Sequence, residues 1–167
     1  METKTKNKHE TALWTEIFAA IPDEQVIRDC VANGADISGG FLYYLILFDA
    51  CCPKQVEKQG EGVKLKELKL LIELGADVKW QDNGGFDCLF GAILSWVPEL
   101  VELVLQAGAN PNCTQDEETI LAYAATEYSH AYYEAQEELE QIMQLLEKYG
   151  AKYEIEDIQL TAHARND

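Results

Sequence analysis

Between Trp80 and Glu147 the chain has no lysine or arginine. Over its 167 residues, 13 basic residues face 30 acidic ones, for a formal net charge of −17. This scarcity of positive charge argues against nucleic-acid phosphate or an anionic membrane as the main ligand, and points to a basic partner. Long apolar runs are also missing. The longest, Phe41 to Phe48 (FLYYLILF), falls far short of the ~20 residues that span a bilayer. The first twenty residues hold Glu2, Lys4, Lys6, Lys8, Glu10 and Glu16 with no sustained apolar stretch, so no secretory signal is expected. The cysteines are Cys30, Cys51, Cys52, Cys88 and Cys113, without a CxxC pair. An odd number so spaced fits neither a disulfide framework nor a zinc site. Reduced thiols used as small core residues, in a cytoplasmic protein, are the expectation.

Catalytic signatures are scarce too. No GxxxxGK, GxGxxG, HExxH or GxSxG occurs. His9, His130 and His163 have no neighbouring Cys or Ser in a triad context. The triplet Asp116-Glu117-Glu118 lacks the alternating oxygen ligands and the glycine of an EF-hand loop, and reads as a charged turn. No catalytic residue, cofactor or metal is therefore expected.

What the chain does have is a core and a repeat. Hydrophobic residues make up 47% of it, enough for one folded domain despite the charge. Gly34-Ala35-Asp36, Gly75-Ala76-Asp77, Gly108-Ala109-Asn110 and Gly150-Ala151-Lys152 recur at spacings of 41, 33 and 42 residues. Each closes an apolar set spaced for one helix face: Val26, Ile27, Cys30, Val31; Leu65, Leu68, Leu71, Ile72; Leu100, Val101, Leu103, Val104; Leu139, Ile142, Met143, Leu146. Glycine just past a helix is the usual cap, because it takes a positive φ without a Cβ clash. A second helix is expected before each of these, over 13–20, 41–49, 89–96 and 119 to about 133. Phe41 to Asp49 reads as buried on most sides, and Trp14 and Trp96 read as core. Turn formers separate the units: Ser38-Gly39-Gly40, Asp82-Asn83-Gly84-Gly85, and Asn110-Pro111-Asn112.

Two helices, a glycine cap and a turn-rich excursion every ~33 residues resemble the ankyrin repeat family. Gly85-Phe86-Asp87-Cys88-Leu89-Phe90-Gly91-Ala92 stands where that family carries G-x-T-P-L-H-x-A. Gly108-Ala109-Asn110-Pro111-Asn112 matches its G-A-D/N-P/V-N ending, and Thr119-Ile120-Leu121-Ala122-Tyr123-Ala124-Ala125 is similar to T-P-L-H-x-A-A. Asp87 and Cys88 replace Thr-Pro, and Phe90 and Ala122 replace His, so the hydrogen bonds at those helix starts must differ. Two insertions fall between paired helices, at Cys51–Lys64 and Thr126–Glu138. The resemblance implies an all-α, ankyrin-like repeat solenoid of about four helix-turn-helix units over 11–155, with tails at 1–10 and 156–167. It also implies non-catalytic protein binding through turn tips and the exposed side of the first helices.

The charge is local. Thirteen acids lie between Trp80 and Glu147, so −13 of the −17 sits in the last two units. Such a stretch serves either solubility or the docking of a basic protein. Tyrosines accompany it, with Tyr128 and Tyr132 four residues apart on one helix face. Trp80 and Phe86 flank the turn that contains Asp82 and Asn83, and Asp82 is expected to cap that turn. The candidate contact residues are Trp80, Asn83, Phe86, Asp116, Glu117, Glu118, Glu127, Tyr128 and Tyr132. The expected function is that of a binding module, monomeric when free, for a basic protein. Its concrete form is an immunity or antitoxin-type inhibitor of a cationic toxin such as a nuclease. The alternatives are a generic adaptor or host-directed effector module whose acidity serves solubility, and an unrecognised enzyme or metal-binding subunit.

Overall fold

The computed structural model describes residues 8–19, 21–38, 40–51, 65–115, 118–130 and 136–152. Among these the chain is mostly helical and forms four packed pairs. They are α1 (Lys8–Ile17) with α2 (Glu24–Ala32), α3 (Phe41–Cys51) with α4 (Leu65–Glu73), α5 (Cys88–Leu94) with α6 (Pro98–Gln106), and α7 (Ile120–His130) with α8 (Gln136–Lys148). Two short strands, β1 (Thr114–Gln115) and β2 (Glu118–Thr119), pair antiparallel just ahead of α7. No described helix is long and apolar enough to cross a membrane.

The recurring Gly-Ala element acts the same way four times. Gly34, Gly75, Gly108 and Gly150 have φ of 92°, 98°, 97° and 95°. This left-handed turn lets the next amide reach back over the helix end. Ala35, Ala76, Ala109 and Ala151 donate to the carbonyls of Cys30, Leu71, Val104 and Leu146 at 2.9–3.2 Å. These are the long-range bonds of a Schellman cap, and all four alanine side chains are buried. An Asx turn follows three of the caps: Asp36, Asp77 and Asn110 accept from the amides two residues on, at 2.9, 2.9 and 3.0 Å. The fourth cap has Lys152 at that position, and the Lys152 amide instead donates to Asn112 Oδ1 at 3.1 Å. Asn112 Nδ2 also donates to the Gly150 carbonyl at 3.1 Å, which ties the third unit to the fourth.

A Cβ on Gly75 would meet nothing within 4 Å, so Gly75→Ala isolates the backbone cost of that turn. The variant should lose about 1–2 kcal/mol of stability in urea unfolding. An unchanged midpoint would show that the left-handed closure is dispensable.

Corresponding helices of successive pairs touch in chain order. Trp14 of α1 lies 4.9 Å from Phe41 of α3, ring to ring, α3 packs on α5, and Phe90 of α5 lies 5.2 Å from Tyr123 of α7. In the other row, Arg28 of α2 reaches Glu73 just at the end of α4 at 3.7 Å, α4 packs on α6, and α6 on α8. The core between the rows is continuous, from Leu13 and Ile17 through Leu45, Leu71, Phe90 and Val104 to Ile142 and Leu146.

Several expectations need correction. Val26 is 39% exposed, because the inward face of α2 is carried by Ile27 and Cys30 with half-buried Val31 beside them. The helix expected to run to Trp96 ends at Leu94, and Trp96 takes φ 54° in the connection to α6. There Pro98 opens the next helix, where its missing N–H costs nothing. Trp14 and Trp96 are half-buried against the core and not within it. In α3, Leu42, Tyr43, Leu45 and Ile46 are buried but Tyr44 is 53% exposed. Most of the first insertion, 52–64, lies outside the described residues, as do 131–135 of the second and both tails apart from 8–10.

Candidate partner-binding surface

The turn between the second and third pairs is built by Asp82. Its Oδ1 accepts from the amides of Gly84 and Phe86 at 2.8 and 3.0 Å, and its own amide donates to the Phe86 carbonyl at 2.9 Å. Gln81 and Asp87 close the base as an isolated antiparallel bridge. Asp82 therefore caps its turn, as its position implied, and leaves Asn83 exposed at the tip. Phe86 turns inward, half-buried and edge-on to Phe90 at 5.5 Å. Trp80 is half-buried against Tyr43 and Tyr44.

Asp87 continues that turn into α5. It is 2% exposed, and its carboxylate accepts from the Leu89 and Phe90 amides at 2.9 and 3.1 Å. Thr119 does the same for α7, accepting from the Ala122 amide at 3.2 Å. The substitution of Asp87 for threonine thus keeps the helix-start acceptor and changes its charge. Burial pushes the Asp87 pKa up, while its two amide bonds and the Cys113 thiol pull it down. Burial and the charge of Asp87 also raise both neighbouring thiols, Cys88 to about 12 and Cys113 further still, which keeps them protonated. Cys30, Cys88 and Cys113 are buried free thiols. Among the described residues, no three His, Cys, Asp or Glu side chains converge as metal ligands would.

The acids of the last two pairs divide between two sides. Glu118 on β2 and Glu127 on α7 are half-buried, and Glu118 accepts from Thr126 Oγ1 at 3.1 Å. Both lie close enough to Tyr123 to add to the effect of its burial, and its phenol pKa is pushed up to about 12. Tyr128 is half-buried against the core. The exposed acids are elsewhere: Glu99 on α6 and Glu137, Glu140 and Glu147 on α8. Glu102 of α6 is half-buried and pairs with Lys148 at 3.0 Å. A shallow groove of about 210 Å³ between α4 and α6 is lined by Leu65, Lys69, Glu99, Glu102, Leu103 and Gln106, with mixed charge. Asp116, Glu117 and Tyr132 lie outside the described residues.

The candidate residues do not form one patch. Trp80, Asn83 and Phe86 share the turn between the second and third pairs, whereas Glu118, Glu127 and Tyr128 belong to the fourth pair. Sequence reading missed Tyr44. Its run, Phe41 to Phe48, is apolar on every helical face, so the outward direction of Tyr44 is set only by the packing of Leu42, Leu45 and Ile46 on the core. Sequence reading also did not separate the exposed acids of α6 and α8 from the half-buried ones near the turns. No protein-family model matches the chain, and no curated protein matches it in sequence.

Proposed function

We propose that this chain is an ankyrin-like repeat solenoid that works without catalysis by binding a basic protein. In its concrete form the partner is a cationic toxin such as a nuclease, and the chain is its immunity or antitoxin-type inhibitor. The four identical Gly-Ala closures, with helices touching in two rows, support the scaffold part of the reading. The observation that carries the partner part is electrostatic. Exposed Glu99, Glu137, Glu140 and Glu147 crowd two adjacent helices, in a stretch with no cation from Trp80 to Glu147. Lys148, paired with Glu102, and Lys69, beside Glu99 and Glu102, offset part of this charge; like charge left in excess destabilises a compact fold, and a basic partner relieves it.

The immobilised chain, exposed to lysate of its source cells at low ionic strength, should retain a basic protein. That protein should elute as salt rises to ~0.5 M, where charges are screened within a few ångströms. Retention only of neutral or acidic proteins, with elution indifferent to salt, would overturn the electrostatic reading.

A further inference from the structure

Three aromatic rings meet where the start of α3 touches the segment after α4. Tyr43 and Tyr44 lie 5.1 Å apart, and Trp80 lies 5.7 Å from Tyr43 and 5.8 Å from Tyr44, all mutually tilted. Their exposure is graded. Tyr43 is 5% exposed, Trp80 is half-buried, and Tyr44 has 53% of its surface in water. Gly40 allows the close approach: a Cβ there would stand 2.7 Å from Tyr44 Cε2 and 2.9 Å from Trp80 Cη2.

A carboxylate borders the rings. Asp82 follows Trp80 by two residues, is held in place by the Gly84 and Phe86 amides, and lies near enough to Tyr43 to be felt by its phenol. The cation adjacent in sequence, Lys79, is directed away, with its Cε lying where it would be 3.6 Å from a Cβ on Gly108. The platform therefore combines an exposed tyrosine, backed by a half-buried tryptophan, with a nearby carboxylate.

Resting on the reading of the partner as basic, we propose that this platform seats an arginine side chain of that partner. The guanidinium stacks on the exposed ring of Tyr44, with tilted Trp80 as the wall of the seat and Asp82 as its counter-charge. Arginine fits better than lysine, because its planar, weakly hydrated cation stacks on aromatic faces while an ammonium holds its water. The steering charge on α6 and α8 lies in the other helix row and is a separate feature from this arginine anchor.

The test uses an oligo-arginine and an oligo-lysine peptide of equal length, titrated into the full chain at low salt and followed by amide and indole resonances. Oligo-arginine should bind more tightly than oligo-lysine and shift the Trp80 indole and the Gly40 amide. Tyr44→Leu keeps apolar bulk but removes the ring. It should weaken oligo-arginine binding by about three- to tenfold and leave oligo-lysine unchanged. Gly40→Ala should have the same selective effect without removing a ring, since it displaces Tyr44 and Trp80; retained circular dichroism would confirm folding of both variants. Equal binding of the two peptides, with shifts confined to α6 and α8, would overturn the anchor and leave the basic-partner reading standing. Binding of neither peptide at low salt would overturn both.

Discussion

Asp87→Ala should lower the stability of the fold by about 2–3 kcal/mol, whereas Asp87→Asn should not lower it at neutral pH. The alanine variant loses the N-cap of α5, leaving the Leu89 and Phe90 amides without their acceptor in a site 2% exposed. It also takes away the acceptor of the Cys113 thiol. Asparagine keeps an oxygen at the same place and caps as well as aspartate. It differs by removing a charge that burial opposes.

The pH dependence follows from the sign of that shift. Asp87 has a folded-state pKa above its ordinary value, so the native state binds its proton more tightly than the unfolded state does. Its contribution is most favourable below the unfolded value of ~3.9 and declines as pH rises from there through the raised folded value. The stability difference between the asparagine variant and the parent should therefore be largest at neutral pH and shrink toward pH ~4. Urea unfolding of both proteins across that range checks this. A difference that grew toward low pH would contradict the buried-charge account.

How far the fold was legible in the sequence depends on how directly a residue's chemistry dictates its backbone. Glycine at a positive φ, followed by a small residue and Asx, has few other uses. All four closures are legible in the sequence alone, whereas the cap that Asp23 forms on α2 appears only in the fold. The role of Asp87 was not legible. It breaks a sequence pattern but keeps the pattern's physics, since a carboxylate oxygen accepts the same amides as a threonine hydroxyl. The apolarity of Trp96 continues that of α5 and points to a longer helix, yet Val97-Pro98 demands an extended residue and the turn must come just before it. Tyr44 was lost in a run so uniformly apolar that only its neighbours' packing on the core marks its outward direction.

The candidate surface was less legible still. Charge is countable from sequence, but exposure depends on which helix of a pair carries it. Asp87 is spent inside and Asp82 on its turn, while Glu137, Glu140 and Glu147 stand in water on α8. Composition located the negative charge within two units; only the packing of α6 beside α8 gathers the exposed part onto neighbouring helices.

That gathered charge leads to the second large effect. Reversing Glu99, Glu137, Glu140 and Glu147 together to lysine should slow association with the proposed basic partner by about ten- to a hundredfold at low salt. The four side chains are exposed, so the fold should survive. Steering acts over the Debye length, ~10 Å at 0.1 M salt, so the difference should shrink as ionic strength rises. Dissociation should change less, because rim charges act chiefly on encounter.

The direct measurement is the association rate constant of the captured basic protein with the parent chain and with the four-lysine variant, by stopped flow across a salt series. A parent rate that falls steeply with salt and converges on the variant's rate at high salt is the predicted result. Equal rates for the two chains at every ionic strength would contradict the claim that this surface exists to meet a basic partner.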